Sequence, residues 1–180
     1  GDAKTEAGVD VWAYCLMPNH VHLVVVPQEK TGLATLFRHV HRHYSRRINF
    51  REHWRGHLWQ ERFHSFVMDE RYLLATVRYT ELNPVRARLC GAPQEWPWSS
   101  ARAHFAGRDD PVVSVQPMLQ RVLNWGDYLS QGQTQAEADT IRRASRTGRP
   151  VGDGAFISSL ELLTGRELIR KKPGPRAGVK

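Results

Sequence analysis

Hydrophobic and polar positions change period several times along this chain, and each change predicts an element. Val9 to Met17 (VDVWAYCLM) is rich in β-forming and aromatic residues, Pro18-Asn19 is a turn signal, and His20 to Val26 is strand-like again, so 9–27 reads as a β-hairpin. Over 31–50 the apolar residues Leu33, Leu36, Phe37, Val40, Tyr44 and Ile48 recur at helical spacing. Residues 57–68 (HLWQERFHSFVM) read as a third strand. Asp69 is placed to cap a helix running from about Glu70 towards Leu82. Trp96 to Phe105 reads as a loop entering a short helix capped by Ser99 or Ser100, and 117–129 as one further helix. Two short helical patterns, 134–145 and 154–164, are joined by TGRPVGDG, and the basic stretch RKKPGPRAGVK after them reads as a disordered tail.

The order strand–strand–helix–strand–helix predicts an α+β fold with an antiparallel sheet. A ferredoxin-like sheet wants one more strand and helix at its front. Residues 1–8 read as the end of that helix, so the N-terminal strand is expected to be missing. Composition turns polar near Ser130 (QGQTQAEAD), which predicts a main domain over 1–130 and a small, basic, helical extension over 131–180.

The chain, 180 residues and 41% hydrophobic, is long enough for a core-forming domain with an appendage. No run approaches the 18 apolar residues of a membrane span, and no signal peptide is visible. Its two cysteines, Cys15 and Cys90, match neither a disulfide framework nor a zinc-site spacing, so a cytoplasmic location is expected. The net charge of +8 is unevenly spread: −3 over 1–29, +7 over 30–90, −3 over 91–140 and +7 over 141–180. Two basic blocks around an acidic one predict two polyanion-contacting surfaces, against the plainer reading of solvated faces.

Candidate chemistry starts at HVH. On a strand, residues two apart face the same way, so His20 and His22 project together, about 6–7 Å apart along the strand. An isolated pair of this kind is more often two ordinary polar positions; here the same face carries Val24 and Val26, and two imidazoles at the end of an apolar face suggest a divalent ion. A third ligand is offered by VRYTELNPVRARL, where Tyr79 and Asn83 are four apart on a helix face, although Pro84 places Asn83 at the helix end. Two histidines and an amide oxygen suit Mg²⁺ or Mn²⁺. Tyr79, by itself most often a packing residue, becomes beside such a metal a nucleophile for a phosphodiester.

With MPNHVHLVV at 17–25, GHLWQERFHSF at 56–66, YTELNPVRA at 79–87 and WPWSSARAHF at 96–105, the sequence resembles the REP-associated tyrosine transposases of the HUH (His-hydrophobic-His) single-tyrosine superfamily. RTGRPVGDGAFISSLELLTGREL resembles the C-terminal extension of many members. The resemblance implies a ferredoxin-like HUH domain and a metal-dependent single-stranded DNA endonuclease and strand transferase. It implies DNA with REP-like hairpins as partner, no membrane, action as monomer or homodimer, and a 5′-phosphotyrosine intermediate. His20 and His22 match the metal pair, Tyr79 the nucleophile, and Asn83 the position where related transposases carry a Gln ligand, one methylene longer.

Arg38, Arg42, Arg46 and Arg47 stand at near-helical spacing and suit a phosphate backbone. Arg62 and Arg86 are candidates for the scissile phosphate, and Arg149, in the GRP stretch, for a minor-groove hook or a plain loop. Trp59 and Phe63 read as core rather than as base-stacking platforms. Two rival readings remain: a non-catalytic, domesticated DNA-hairpin-binding protein, and a small-molecule metal hydrolase.

Overall fold

The computed structural model describes residues 2–169. The expected tail over 170–180 lies outside the described residues. The architecture is α+β: α1 (Asp2–Glu6), β1 (Val9–Leu16), β2 (Val21–Pro27), α2 (Gly32–Glu52), α3 (Glu70–Glu81) and α4 (Asn83–Arg86) in order. After a short 3₁₀ turn at Pro93–Glu95 come α5 (Ala101–Ala106), α6 (Gln116–Leu119), α7 (Trp125–Ser130), α8 (Gln135–Thr147) and α9 (Gly154–Thr164). The sheet among the described residues is the antiparallel hairpin β1–β2. This is the ferredoxin-like half-fold with a helical extension.

A bulge decides which side of the hairpin faces the site. Val11 pairs with Val25 and Ala13 with Val24, so Trp12 is the extra residue. Before the bulge, Val9 and Val11 pack with Leu36 and Val113 on one face; after it, Ala13 joins Val24, Leu73 and Val77 on the other. The added residue shifts the alternation by one, which turns the second half of β1 towards α3. Beyond the pairing with β2, β1 is covered by segment 98–100: Leu16 N–H donates to the Trp98 carbonyl (2.8 Å) and Ser100 N–H to that of Tyr14 (3.0 Å). That leaves little open edge for another strand.

Each long helix forms where period and caps agree. α2 enters tightly against the hairpin: a Cβ at Gly32 would stand 3.0 Å from the Ala7 carbonyl oxygen and 3.2 Å from Val9. Asp69 caps α3 by accepting from Tyr72 N–H (2.9 Å), and Thr134 with Glu137 forms a capping box at the start of α8.

Two expectations are corrected. Residues 57–68 form no strand; only Met68 makes a bridge, parallel, to Val151. Trp59 and Phe63 are four apart and follow the helical stripe of α2 instead, Trp59 stacked on His41 at 4.1 Å and Phe63 on Phe37 at 4.2 Å. Side-chain packing on a helix thus replaces backbone pairing. Likewise 117–129 is not one helix: Asn124 takes an extended conformation and its side chain caps α7 by accepting from Asp127 N–H (3.1 Å), leaving Leu123 exposed between α6 and α7.

Candidate active site

The hairpin turn brings the two imidazoles to a point. His20 Nε2 and His22 Nε2 are 3.1 Å apart, with the rings edge to face. His20 Nδ1 lies 2.6 Å from Asn19 Oδ1. An amide oxygen only accepts, so Nδ1 carries the hydrogen and Nε2 keeps its lone pair. Burial lowers the pKa of His20 below the usual imidazole value and, with His20 and Arg86 adding to burial, that of His22 to about 4. Both rings are therefore neutral at pH 7.

α3 delivers Tyr79 to the same place. Leu73 and Val77 bury one stripe of the helix against Ala13 and Val24, and Tyr79 is carried to the last turn. Its ring meets His22 edge to face, centroids 5.6 Å apart. The Arg86 guanidinium lies 4.0 Å from the Tyr79 ring centroid, a cation–π contact, and donates to Asn83 Oδ1 (3.1 Å). Asn83 starts α4, is buried, and leaves its Nδ2 without a partner among the described residues. On the other side Ala138 and Ile141 of α8 pack against Tyr79, and the Arg142 guanidinium is in hydrogen-bonding reach of the Tyr79 hydroxyl. Among the described residues no third His, Cys, Asp or Glu joins the histidine pair to form a metal-holding group.

Behind α3 lies a network that the sequence did not announce. Glu81 is fully buried and accepts from Ser100 Oγ (2.5 Å), His104 Nδ1 (2.6 Å) and Trp125 Nε1 (2.9 Å). Ser100 Oγ in turn accepts from Tyr14 N–H (2.9 Å), which ties α3 to β1, α5 and α7 at one carboxylate. A buried carboxylate is tolerable only when its oxygens are satisfied, as here. Glu81 and Ser100 each sit inside a family-like block, TEL and WSS, but no spacing rule connects residues so far apart. Arg142 was missed for the same reason.

The remaining candidates are dispersed. Arg38, Arg42, Arg46 and Arg47 all lie exposed on α2, and Arg62 is exposed in the segment that follows it. Arg149 donates to the Leu168 carbonyl (2.9 Å). Its loop is pinned to the start of α3: Val151 N–H donates to Val67 (2.9 Å), and Asp69 N–H to Val151 (3.0 Å). Asp69 Oδ2 accepts from Asp153 N–H (2.9 Å), and a Cβ at Gly152 would come within 2.9 Å of that same oxygen, so the loop needs glycine there.

Residues 2–83 match the family model described as Transposase IS200 like. The matched segment runs from α1 to the start of α4 and contains His20, His22, Tyr79 and Asn83. No curated protein and no solved structure gives a significant match.

Proposed function

We propose, from the match of residues 2–83 to the IS200-like transposase model, that the chain is a metal-dependent single-stranded DNA endonuclease and strand transferase. In this reading it acts on REP-type hairpins through a 5′-phosphotyrosine intermediate on Tyr79. The observation that carries the reading is the convergence of His20 Nε2 and His22 Nε2 at 3.1 Å, with the Tyr79 ring against His22.

The donor set fits a divalent ion. Two nitrogens at that separation suit neighbouring ligands on one centre, each bond being about 2.1 Å, and both imidazoles are in the neutral form that a metal takes. Asn83 would add a neutral oxygen, a set suited to Mg²⁺ or Mn²⁺ with substrate phosphate and water. When bound, the ion supplies Lewis-acid polarisation of the phosphodiester.

The residues of the chain do the rest. Tyr79 Oη attacks phosphorus and gives up its proton to water. The bond from phosphorus to the 3′ oxygen breaks, and that oxygen takes a proton from water to leave as a 3′-OH. The phosphate stays on Tyr79, so rejoining needs no ATP. Arg38, Arg42, Arg46, Arg47, Arg62, Arg86 and Arg149 would contact the phosphate backbone.

One observation favours the rival, a hairpin-binding protein without cleavage: Tyr79 is only 8% exposed and Asn83 Oδ1 is engaged by Arg86. A denaturing gel separates the two readings. With labelled single-stranded hairpins and Mn²⁺, a covalent adduct is expected that EDTA and Tyr79→Phe both abolish. Hairpin binding with no adduct would select the rival, and an adduct on the Tyr79→Phe variant would remove Tyr79 from the role.

A further inference from the structure

We propose that Arg142, on α8 and outside the matched segment, is a catalytic residue of the Tyr79 reaction: it holds the attacking oxygen and then the phosphate that this oxygen joins. The inference rests on Tyr79 being the nucleophile.

The geometry comes from how α8 is seated. Ala138, Ile141 and Ala144 are the buried residues of α8, and the first two pack on Ala75 and Tyr79. Arg142 follows Ala138 by four residues, so it stands one turn along the same stripe, over the phenol. Its guanidinium reaches the Tyr79 hydroxyl, while its Nη1 donates to Asp139 Oδ1 (2.9 Å). Asp139 Oδ1 is itself held by the Gln135 side-chain amide (2.9 Å). The capping box at Thr134 fixes one end of α8, and Gly148 with the Val151–Val67 pairing fixes the other. Arg142 is thus placed by a braced helix.

Exposure gives the direction of approach. The Arg142 side chain is 44% exposed, whereas Tyr79 is 8% exposed. The guanidinium therefore stands on the solvent side of the phenol, where a phosphate has to arrive. Both arginines at Tyr79 come within reach of its hydroxyl. Arg86 also lies over the ring and is tied to Asn83, whereas Arg142 approaches from the solvent side.

A guanidinium keeps its charge and presents five N–H donors in a planar fork. As the Oη–P bond forms and the P–O3′ bond breaks, negative charge passes from the phenol oxygen to the phosphate. The phenol proton leaves to water, and the departing 3′ oxygen takes one from water. A single fork can follow that charge by exchanging one acceptor for the next.

The test compares the wild type with Arg142→Ala, Arg142→Gln and Arg142→Lys in single-turnover cleavage of a labelled hairpin with Mn²⁺, alongside hairpin affinity by fluorescence anisotropy. At saturating DNA, Arg142→Ala and Arg142→Gln are expected to slow adduct formation by about 10²–10³-fold with affinity unchanged. Arg142→Lys should recover part of the rate, and added guanidinium should rescue Arg142→Ala, which loss of a merely structural side chain would not allow. Full-rate cleavage by Arg142→Ala would overturn the inference while leaving the proposed function standing. A loss confined to affinity would overturn it too, by making Arg142 a ground-state phosphate contact. A wild-type chain that binds hairpins without forming an adduct would fell the underlying reading, and this inference with it.

Discussion

Glu81 lies two residues after Tyr79 and two before Asn83, and a helix turns about 200° over two residues. Its carboxylate therefore faces the interior while Tyr79 faces the histidines. The network of Ser100, His104 and Trp125 around it fixes the roll of α3, and hence where the phenol points. Glu81→Ala would strand three buried donors and should cost about 3–5 kcal/mol, read from urea unfolding. Glu81→Gln keeps the volume and one acceptor oxygen and should cost about 1–3 kcal/mol. Equal stability of Glu81→Ala and wild type would show that the network does not hold the helix.

A second residue-scale prediction concerns alkaline pH. Cys15 is fully buried and pairs across the hairpin with His22. Burial first, then Glu81, pushes its thiol from the ordinary cysteine range up to about 12. Burial also raises the phenols of Tyr14 and Tyr128. Once the pH passes the ordinary thiol value, the unfolded chain releases protons that the folded chain keeps. Stability is then complete below pH 9 and falls as the pH climbs towards 12. Urea midpoints at about pH 8 and about pH 10 should show the decline, and Cys15→Ala should flatten part of it. A midpoint that rises with pH would contradict the assignment.

At the scale of elements, one carboxylate joins the start of the helix bearing Tyr79 to the start of α9. Asp69 caps α3 with one oxygen and receives Asp153 N–H with the other. Asp69→Ala should cost about 1–2 kcal/mol, and hydrogen exchange should show the amides of 151–156 losing protection ahead of the hairpin. Unchanged protection there would mean that the Val151 pairing alone suffices. The same region shows which elements the sequence makes legible. α8 and α9 were readable as short helical patterns, and the structure bounds them with local signals: Thr134 with Glu137, Asp153, Gly148 and Gly165. The hairpin and α3 were readable for similar reasons. The strand expected over 57–68 failed because its aromatics satisfy a partner helix rather than a partner strand, and the bulge at Trp12 leaves no mark in the alternation of VDVWAYC. HVH and the Tyr79–Asn83 spacing were legible as local patterns. The grip of Arg86 on Asn83 and the approach of Arg142 arise from tertiary contacts, which no window of sequence contains.

Across the whole molecule, the basic surface and the proposed reacting centre are separate structures. α2 spans 21 residues, about 31 Å, and carries Arg38, Arg42, Arg46 and Arg47 into solvent, whereas Tyr79 sits buried between β2, α4 and α8. In the proposed function, charges of the first kind would act on DNA through counterion release and say little about sequence; those of the second would act on one phosphorus. The two should therefore respond to different measurements. Replacing Arg46 and Arg47 together by Ala should weaken hairpin binding at low salt. If each neutralises one phosphate of a single strand, the slope of log affinity against log salt should become shallower by about 1.4. The cleavage rate of the bound complex should stay close to that of the wild type. An unchanged slope would take α2 off the DNA path, and a slowed chemical step at saturating DNA would mean that the helix reaches the reacting phosphate after all.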